Sequence, residues 1–271
     1  MHHNISTMDS KLYLKNALAA KQPGLGFWCT LPGASSVATV LATGGFNWTL
    51  IDAEHGMITD KDYFELVNTI TSQGASPIIR VPWNEEWMIK RALDSGAQGV
   101  MTPMCHSAED ARRIVSYSRY PPNGTRGYGP MFCPPVFGCK GSEYDAGADK
   151  NLLVIVQIES KQGVANAEEI AKVEGLDCLF IGPFDLHKQM QVPFGGDEHE
   201  AAIAKTLNAA HSAGKIAAIF CSNGEVARKR LQQGFDMVSI AVDSACLAAE
   251  MERQMILALG TEKGKGDRPY S

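Results

Sequence analysis

The 271-residue chain contains no stretch of eighteen consecutive apolar residues, which excludes a membrane-spanning helix of the usual length. Basic charge is not in excess either. Twenty-five lysines and arginines stand against thirty acids, giving a formal net charge of -5, and no basic run gathers on a helical face. Nucleic acid is therefore not expected as a partner. There is no CxxC pair and no zinc-type spacing: the seven cysteines (Cys29, Cys105, Cys133, Cys139, Cys178, Cys221, Cys246) are odd in number and scattered. Cys29, Cys178 and Cys221 fall in apolar runs where a free thiol behaves as a small buried hydrophobe, so a reducing compartment is expected. Residues 1–20 carry His2, His3, Asp9, Lys11 and Lys15 with no apolar core, unlike a secretory signal. These readings together predict a cytoplasmic protein. Nucleotide fingerprints are missing too: neither GxGxxG nor GxxxxGK[ST] occurs, and "GTRGYG" at 124–129 has the wrong spacing. That segment reads as a lid or interface turn, with an ordinary glycine-rich turn as the alternative.

What the chain does have is a beat of short apolar runs: 26–31, 48–53, 77–81, 99–104, 152–158, 178–181, 216–221 and 237–242. Each is too short for a helix and lacks strict alternation, as strands buried on both faces of a parallel sheet do. Helical periodicity fills the gaps, over 34–43, 61–72, 85–95, 107–117, 163–172, 198–213, 224–233 and 244–259. Glycines 96, 214 and 234 close three of these helices as left-handed caps. Eight strand–helix units without a domain-sized linker predict an α/β fold with a single (β/α)8 TIM barrel. The barrel domain is assigned to 23–259, between an N-terminal extension or helix at 1–22 and a disordered tail at 260–271. The segment 118–150, rich in Pro, Gly and aromatics, reads as a long irregular connection.

A TIM barrel carries its chemistry at the carboxyl ends of its strands. Here strand 2 exits through Asp52, Glu54 and His55, strand 3 through Arg80, strand 5 through Gln157 and Glu159, and strand 6 through "GPFD" with Asp185. Thr102, Ser222, Asn223 and Asp243 occupy the other exits. Glu159 and Asp185 come from neighbouring strands. Two carboxylates without cysteine suit a hard ion such as Mg2+, Mn2+ or Co2+; capping of the following helices is the competing reading for each. His55 has Asp52 three residues back, a spacing at which a carboxylate could fix the imidazole tautomer of a general base. His106, His187, His199 and His211 lack that arrangement, and His199 and His211 read as solvated helix-surface residues. Arg80 leaves a buried strand with no neutralising neighbour in sequence, so it either pairs with a barrel carboxylate or binds an anionic substrate; the second reading is preferred. Gly182 and the helix opening after Pro183 would let backbone amides approach an anion. None of the eight strands carries a lysine, so a Schiff-base aldolase has no candidate amine.

"IDAEHG", "IIRVPWN", "YPPNGTRGYG", "VQIES" and "FIGPFDL", in that order, resemble the HpcH/HpaI aldolase family, the class II pyruvate aldolases of the 4-hydroxy-2-oxoheptanedioate and 2-keto-3-deoxy-sugar-acid type. The resemblance runs from about Gly24 to Met255. It implies Glu159 and Asp185 as metal ligands, His55 paired with Asp52 as the base, and Glu54 assisting through water at the ion. Arg80 would bind the pyruvate keto oxygen, Gln157 would stand beside the substrate, and the backbone of Gly182, Pro183, Phe184 and Asp185 would cradle the pyruvate carboxylate. The implied reaction is reversible cleavage of a 4-hydroxy-2-oxo acid to pyruvate and an aldehyde, dependent on a divalent ion: Mg2+, Mn2+ or Co2+. An oxaloacetate decarboxylase of the macrophomate synthase type and a non-catalytic keto-acid-binding barrel are the alternatives. A thioester-cleaving relative of the citrate lyase β-subunit type is disfavoured, because no basic adenine-accepting segment precedes strand 1. Phe184 stands where alanine is common in the family, His187 where a small residue is usual, and Met57 where proline or alanine is usual. The last helix, 244–259, is apolar around most of its circumference, which predicts a subunit contact. The resemblance implies exchange of that helix within dimers and a hexamer built as a trimer of dimers.

Overall fold

The computed structural model describes residues 11–260. Eight strands follow one another in chain order: β1 (Gly24–Cys29), β2 (Trp48–Asp52), β3 (Ser76–Arg80), β4 (Gly99–Thr102), β5 (Leu153–Ile158), β6 (Cys178–Ile181), β7 (Ile216–Ile219) and β8 (Met237–Val242). All are parallel, and β8 pairs with β1 to close the barrel. Every run read as a strand is one.

The helices are α1 (Tyr13–Ala19), α2 (Ala34–Leu41), α3 (Tyr63–Ser72), α4 (Glu86–Asp94), α5 (Ala108–Ser118), α6 (Cys133–Phe137), α7 (Gly141–Asn151), α8 (Lys161–Ala165), α9 (Ala167–Ala171), α10 (Pro183–Met190), α11 (Asp197–Ser212), α12 (Gly224–Gln232) and α13 (Asp243–Leu259). Two readings need correction. The single helix expected at 163–172 is broken into α8 and α9 at Asn166, whose side-chain amide donates to the His106 carbonyl at 2.8 Å instead of facing solvent. The segment 118–150 is not irregular throughout, because it contains α6 and most of α7. The Glu143 carboxylate accepts the Lys140 backbone N–H at 2.7 Å at the start of α7, and Tyr144, Ala148 and Asn151 face inward. The two glycines of α7 hide that face from a periodicity search.

Two apolar layers hold the barrel. Inside it, Trp48, Leu50, Ile78, Met101, Ile155 and Phe180 are fully buried. Trp48 fills the interior only because β1 has Gly26 beside it: a Cβ there would lie 2.2 Å from the indole ring. Leu14 of α1 joins this inner cluster and its N–H donates to Ser76 Oγ at 3.1 Å, so the N-terminal helix plugs the amino end of the barrel. The opposite, carboxyl end is left open for a site. Between barrel and helices, Ile51, Ile79, Val100, Val154 and Ile181 pack against Leu66, Ile89, Ile114 and Ile203.

"GTRGYG" is no lid over that mouth. Arg126 is buried, pairs with Asp94 at 2.8 Å, and lies over the Tyr120 ring at 4.5 Å, fixing the turn against α4 and α5. No helix of the described residues is long and apolar enough to cross a membrane. The leader residues His2, His3 and Asp9, and nearly all of the tail assigned to 260–271, lie outside the described residues.

Candidate active site

Strand register builds the site. Asp52 and Arg80 are direct partners in the β2–β3 ladder, so two opposite charges leave adjacent strands side by side. Both are buried. The guanidinium grips Asp52 bidentately, Nε to Oδ1 at 2.8 Å and Nη2 to Oδ2 at 2.7 Å. Its third nitrogen, Nη1, lies 2.8 Å from Glu54 Oε2 and donates to Gln157 Oε1 at 3.3 Å. The Trp28 ring stacks on the guanidinium, its centroid 4.2 Å from Cζ. Burial is the largest single influence on Arg80 and works against its charge, but the Asp52, Glu54 and Glu159 carboxylates together outweigh it and raise the pKa. Burial also lifts the Glu54 carboxyl above its ordinary value, opposed by Arg80 and His55.

This arrangement corrects the pairing expected for His55. Asp52 is committed to Arg80 and to the backbone N–H groups of Glu54 and His55, at 3.1 and 3.3 Å. The carboxylate near the imidazole is that of Glu54, whose Oε1 is 3.8 Å from Nε2. The His55 side chain is 55% exposed at the rim, free to meet a substrate. Arg80 pairs with barrel carboxylates and still faces the cavity, so the two roles weighed for it are not exclusive.

Glu159 points inward from the end of β5 and is buried. Its Oε2 accepts from Gln157 Nε2 at 3.0 Å, and its Oε1 accepts from the Met104 N–H at 2.8 Å. Met104 presents that N–H from a left-handed conformation, φ +53°, which strains a residue other than glycine. Sequence reading missed this donor, as it missed Trp28. Glu159 does not cap α8: that is done by Ser160, whose Oγ accepts from the Gly163 N–H at 3.0 Å. Burial chiefly, with Asp185 adding to it and the Met104 N–H opposing, pushes the Glu159 carboxyl up to about 8. Gly182 makes room for it, since a Cβ there would lie 2.2 Å from Glu159 Oε2.

After β6, Gly182 is the N-cap of α10, with Pro183 in its first turn. The amides of Phe184 and Asp185 are therefore among the orphan donors of a helix start. No side-chain cap bond closes this end, so Asp185 is not used as a cap. Gly182, Pro183, Phe184 and Asp185 all line a cavity of about 450 Å3, together with Asp52, His55, Arg80, Gln157 and Glu159. Nine of the ten residues singled out in the sequence thus line one cavity; Glu54 joins them through Arg80. The remaining strand ends do other work. Asn223 caps α12, and Asp243 receives the Thr30 N–H and hydroxyl at 2.9 and 2.6 Å, tying the β1 exit to α13.

His199 is a further correction. It is fully buried rather than solvated, because α11 packs it against the first turn of α10. Its Nδ1 accepts the Gly195 N–H at 3.1 Å, which leaves Nε2 to donate to the Pro183 carbonyl at 2.9 Å. Both bonds require a neutral ring, and burial holds its pKa below the ordinary 6.5. The unfolded chain then takes up a proton more readily than the fold. The contribution of His199 is complete above pH 6.5 and is lost as pH falls from there toward the lower folded value. Melting curves from pH 7.5 to 5 should show Tm falling by a few degrees more in the wild type than in His199→Gln. Equal slopes would contradict this.

The sequence profile of the HpcH/HpaI aldolase/citrate lyase family matches residues 25–249, the whole barrel from β1 into α13. The chain belongs to this family. A relative from Salmonella dublin named 4-hydroxy-2-oxo-heptane-1,7-dioate aldolase is 35% identical over 252 residues, covering 92% of this chain and 95% of its own. A crystal structure of a family protein from Burkholderia cenocepacia J2315 is 32% identical, with a TM-score of 0.83 over 92% of this chain and 99% of that one. Macrophomate synthase shares the fold, with a TM-score of 0.81 at 24% identity over 92% of this chain and 89% of its own. The family resemblance read from five short motifs therefore extends over residues 25–249.

Proposed function

We propose that the protein is a divalent-metal-dependent carbon–carbon lyase that cleaves 4-hydroxy-2-oxo acids to pyruvate and an aldehyde, reversibly, through the pyruvate enolate. The observation that carries this reading is the buried Asp52–Arg80–Gln157–Glu159 chain at the carboxyl end of the barrel, with the start of α10 facing the same cavity.

Glu159 and Asp185 would hold the ion. Glu159 is a buried carboxylate whose hydrogen bonds come from two neutral donors, while the nearby guanidinium is bonded to Asp52. Such a group fits a bound cation, because a buried charge calls for a counter-charge. Among the described residues no cluster of three or more His, Cys, Asp or Glu could hold a metal. The chemistry of two carboxylates fits a hard ion such as Mg2+ or Mn2+, whose other positions would go to water or substrate oxygens. When bound, the ion supplies Lewis-acid polarisation of the 2-oxo group.

The chain's own residues account for the rest. The Phe184 and Asp185 amides at the start of α10 bind the carboxylate of the 2-oxo acid. Arg80 directs Nη1 at the keto oxygen and meets the negative charge that grows there as the enolate forms. Asp52 clamps the other edge of the guanidinium, and Trp28 fixes its plane. His55 takes the proton from the 4-hydroxyl, the C3–C4 bond breaks, the aldehyde departs, and C3 of the enolate is protonated to give pyruvate. Glu54 orients the imidazole. Phe184 brings bulk into the cavity beside Arg80, Gln157 and Glu159.

Incubation with Mn2+ or Mg2+ and a panel of 4-hydroxy-2-oxo acids should release pyruvate, and EDTA should stop it. Release from none of them would refute the reading. The exposed Leu247, Met251, Met255, Leu257 and Leu259 of α13 support the homo-oligomer, a hexamer in the family resemblance. A monomer mass in solution would refute that part.

A further inference from the structure

The cavity has two unlike halves. Its floor is polar, from Arg80 to Glu159, whereas one wall is a continuous row of rings that begins on Arg80 and leads outward. Trp28 lies on the guanidinium at 4.2 Å. Phe220 meets Trp28 edge-on at 5.1 Å between centroids, and Phe184 meets Phe220 at 5.8 Å. Phe194, from the loop after α10, stacks on Phe184 at 4.7 Å and 25°, and is 51% exposed. Phe194 also packs against His187 at 5.5 Å and His199 at 5.1 Å, so it backs Phe184, while Trp28, Phe220 and Phe184 form the ring wall of the cavity itself. Leu31, Val242, Ala245 and Ala248 also line the cavity and add apolar surface.

Among the described residues, no lysine or arginine lines this outer half. Arg80 is the only lysine or arginine lining the cavity among the described residues, and it is bonded to Asp52 and Glu54 in the floor. His55 is the one other basic side chain lining the cavity, with Glu54 beside it. The Thr30 hydroxyl donates to Asp243 and lies 2.8 Å from Ser244 Oγ. A second carboxylate carried outward by a substrate would find no counter-charge, and its desolvation would go unrepaid.

We propose that the aldehyde half of the substrate is apolar, branched or aromatic rather than carboxylate-terminated, and that Phe184 and its stacking partner Phe194 set this preference. This rests on the aldolase reading above. In the condensation direction, C3 of pyruvate loses a proton and bonds to the aldehyde carbon, and the aldehyde oxygen becomes the protonated 4-hydroxyl. The remainder of the aldehyde then lies along Phe220 and Phe184, with Phe194 holding the Phe184 ring from behind. The Salmonella dublin relative is named for a dioate, so this chain differs from it in the electrophile it takes.

The test is a matched pair of electrophiles with pyruvate and Mg2+: 4-methylpentanal and 4-oxobutanoate, in which a branched alkyl end replaces a carboxylate of nearly the same shape. The wild type should favour 4-methylpentanal in kcat/KM by about tenfold or more, as pockets built for apolar groups do. Phe184→Ala and Phe194→Ala should each shrink that ratio several-fold; because the readout is a ratio, a general loss of activity does not imitate it. A wild type that favours 4-oxobutanoate, or a ratio unchanged in both variants, would overturn the inference. Exchange of pyruvate C3 protons with D2O requires no aldehyde and is recorded alongside. Exchange without the preference removes this inference alone, and no exchange removes the aldolase reading and the inference with it.

Discussion

Arg80→Lys is expected to lower kcat for pyruvate release by about a hundredfold to a thousandfold, the range found when a preorganised donor to a developing oxyanion is removed. Charge is conserved in this substitution, so the loss measures geometry. Three nitrogens of Arg80 serve different partners: Nε and Nη2 hold Asp52, and Nη1 faces Glu54, Gln157 and the cavity. An ammonium on a flexible stem cannot span that set, nor can it stack flat on Trp28. Lysine keeps a cation beside buried Asp52. Arg80→Ala would instead leave that carboxylate unpaired, at a cost of about 3–5 kcal/mol of stability, and would confuse misfolding with lost chemistry. The effect should fall on kcat more than on KM, because the donor matters most when the enolate forms. A kcat within threefold of wild type would show that Arg80 only braces the barrel.

Glu159→Gln should abolish pyruvate release, by about a thousandfold or more, while leaving the fold intact. The amide oxygen of glutamine can still accept from the Met104 N–H, and a neutral side chain removes a carboxylate from a site where burial disfavours its charge. Tm of the metal-free protein should therefore match or exceed that of the wild type. Mn2+ binding by calorimetry should weaken by at least about tenfold, since one of two anionic ligands has become a weak neutral one. Retained Mn2+ affinity together with retained activity would transfer the metal role to other residues.

The barrel was legible because strands buried on both faces are short apolar runs, and their repetition eight times leaves few closed arrangements. Asp52, Arg80, Glu159 and Asp185 were legible for a related reason: a charge at or shortly past the carboxyl end of such a run belongs to the barrel mouth. Partners across strands were not. The three-residue spacing of Asp52 and His55 suggested a local pair, yet the β2–β3 register puts Arg80 beside Asp52, and a bidentate buried ion pair outweighs a bond to an exposed imidazole. Trp28 was hidden because nothing in β1 says which inward residue will lie under a guanidinium from β3. The Met104 N–H was hidden because backbone donors carry no sequence signature; its positive φ appears only when β4 turns toward Glu159. His199 read as a solvated helix-surface residue because sequence does not show which neighbour covers that face; the start of α10 covers it.

The central claim is that this cavity generates and stabilises negative charge on C3 of a 2-oxo acid, and pyruvate itself reports it. Proton NMR of pyruvate in D2O with enzyme and Mn2+-free Mg2+ should show the methyl signal disappearing at a rate proportional to enzyme, halted by EDTA and slowed by Arg80→Lys. A methyl signal that decays no faster with the magnesium-loaded enzyme than with magnesium alone would contradict the account.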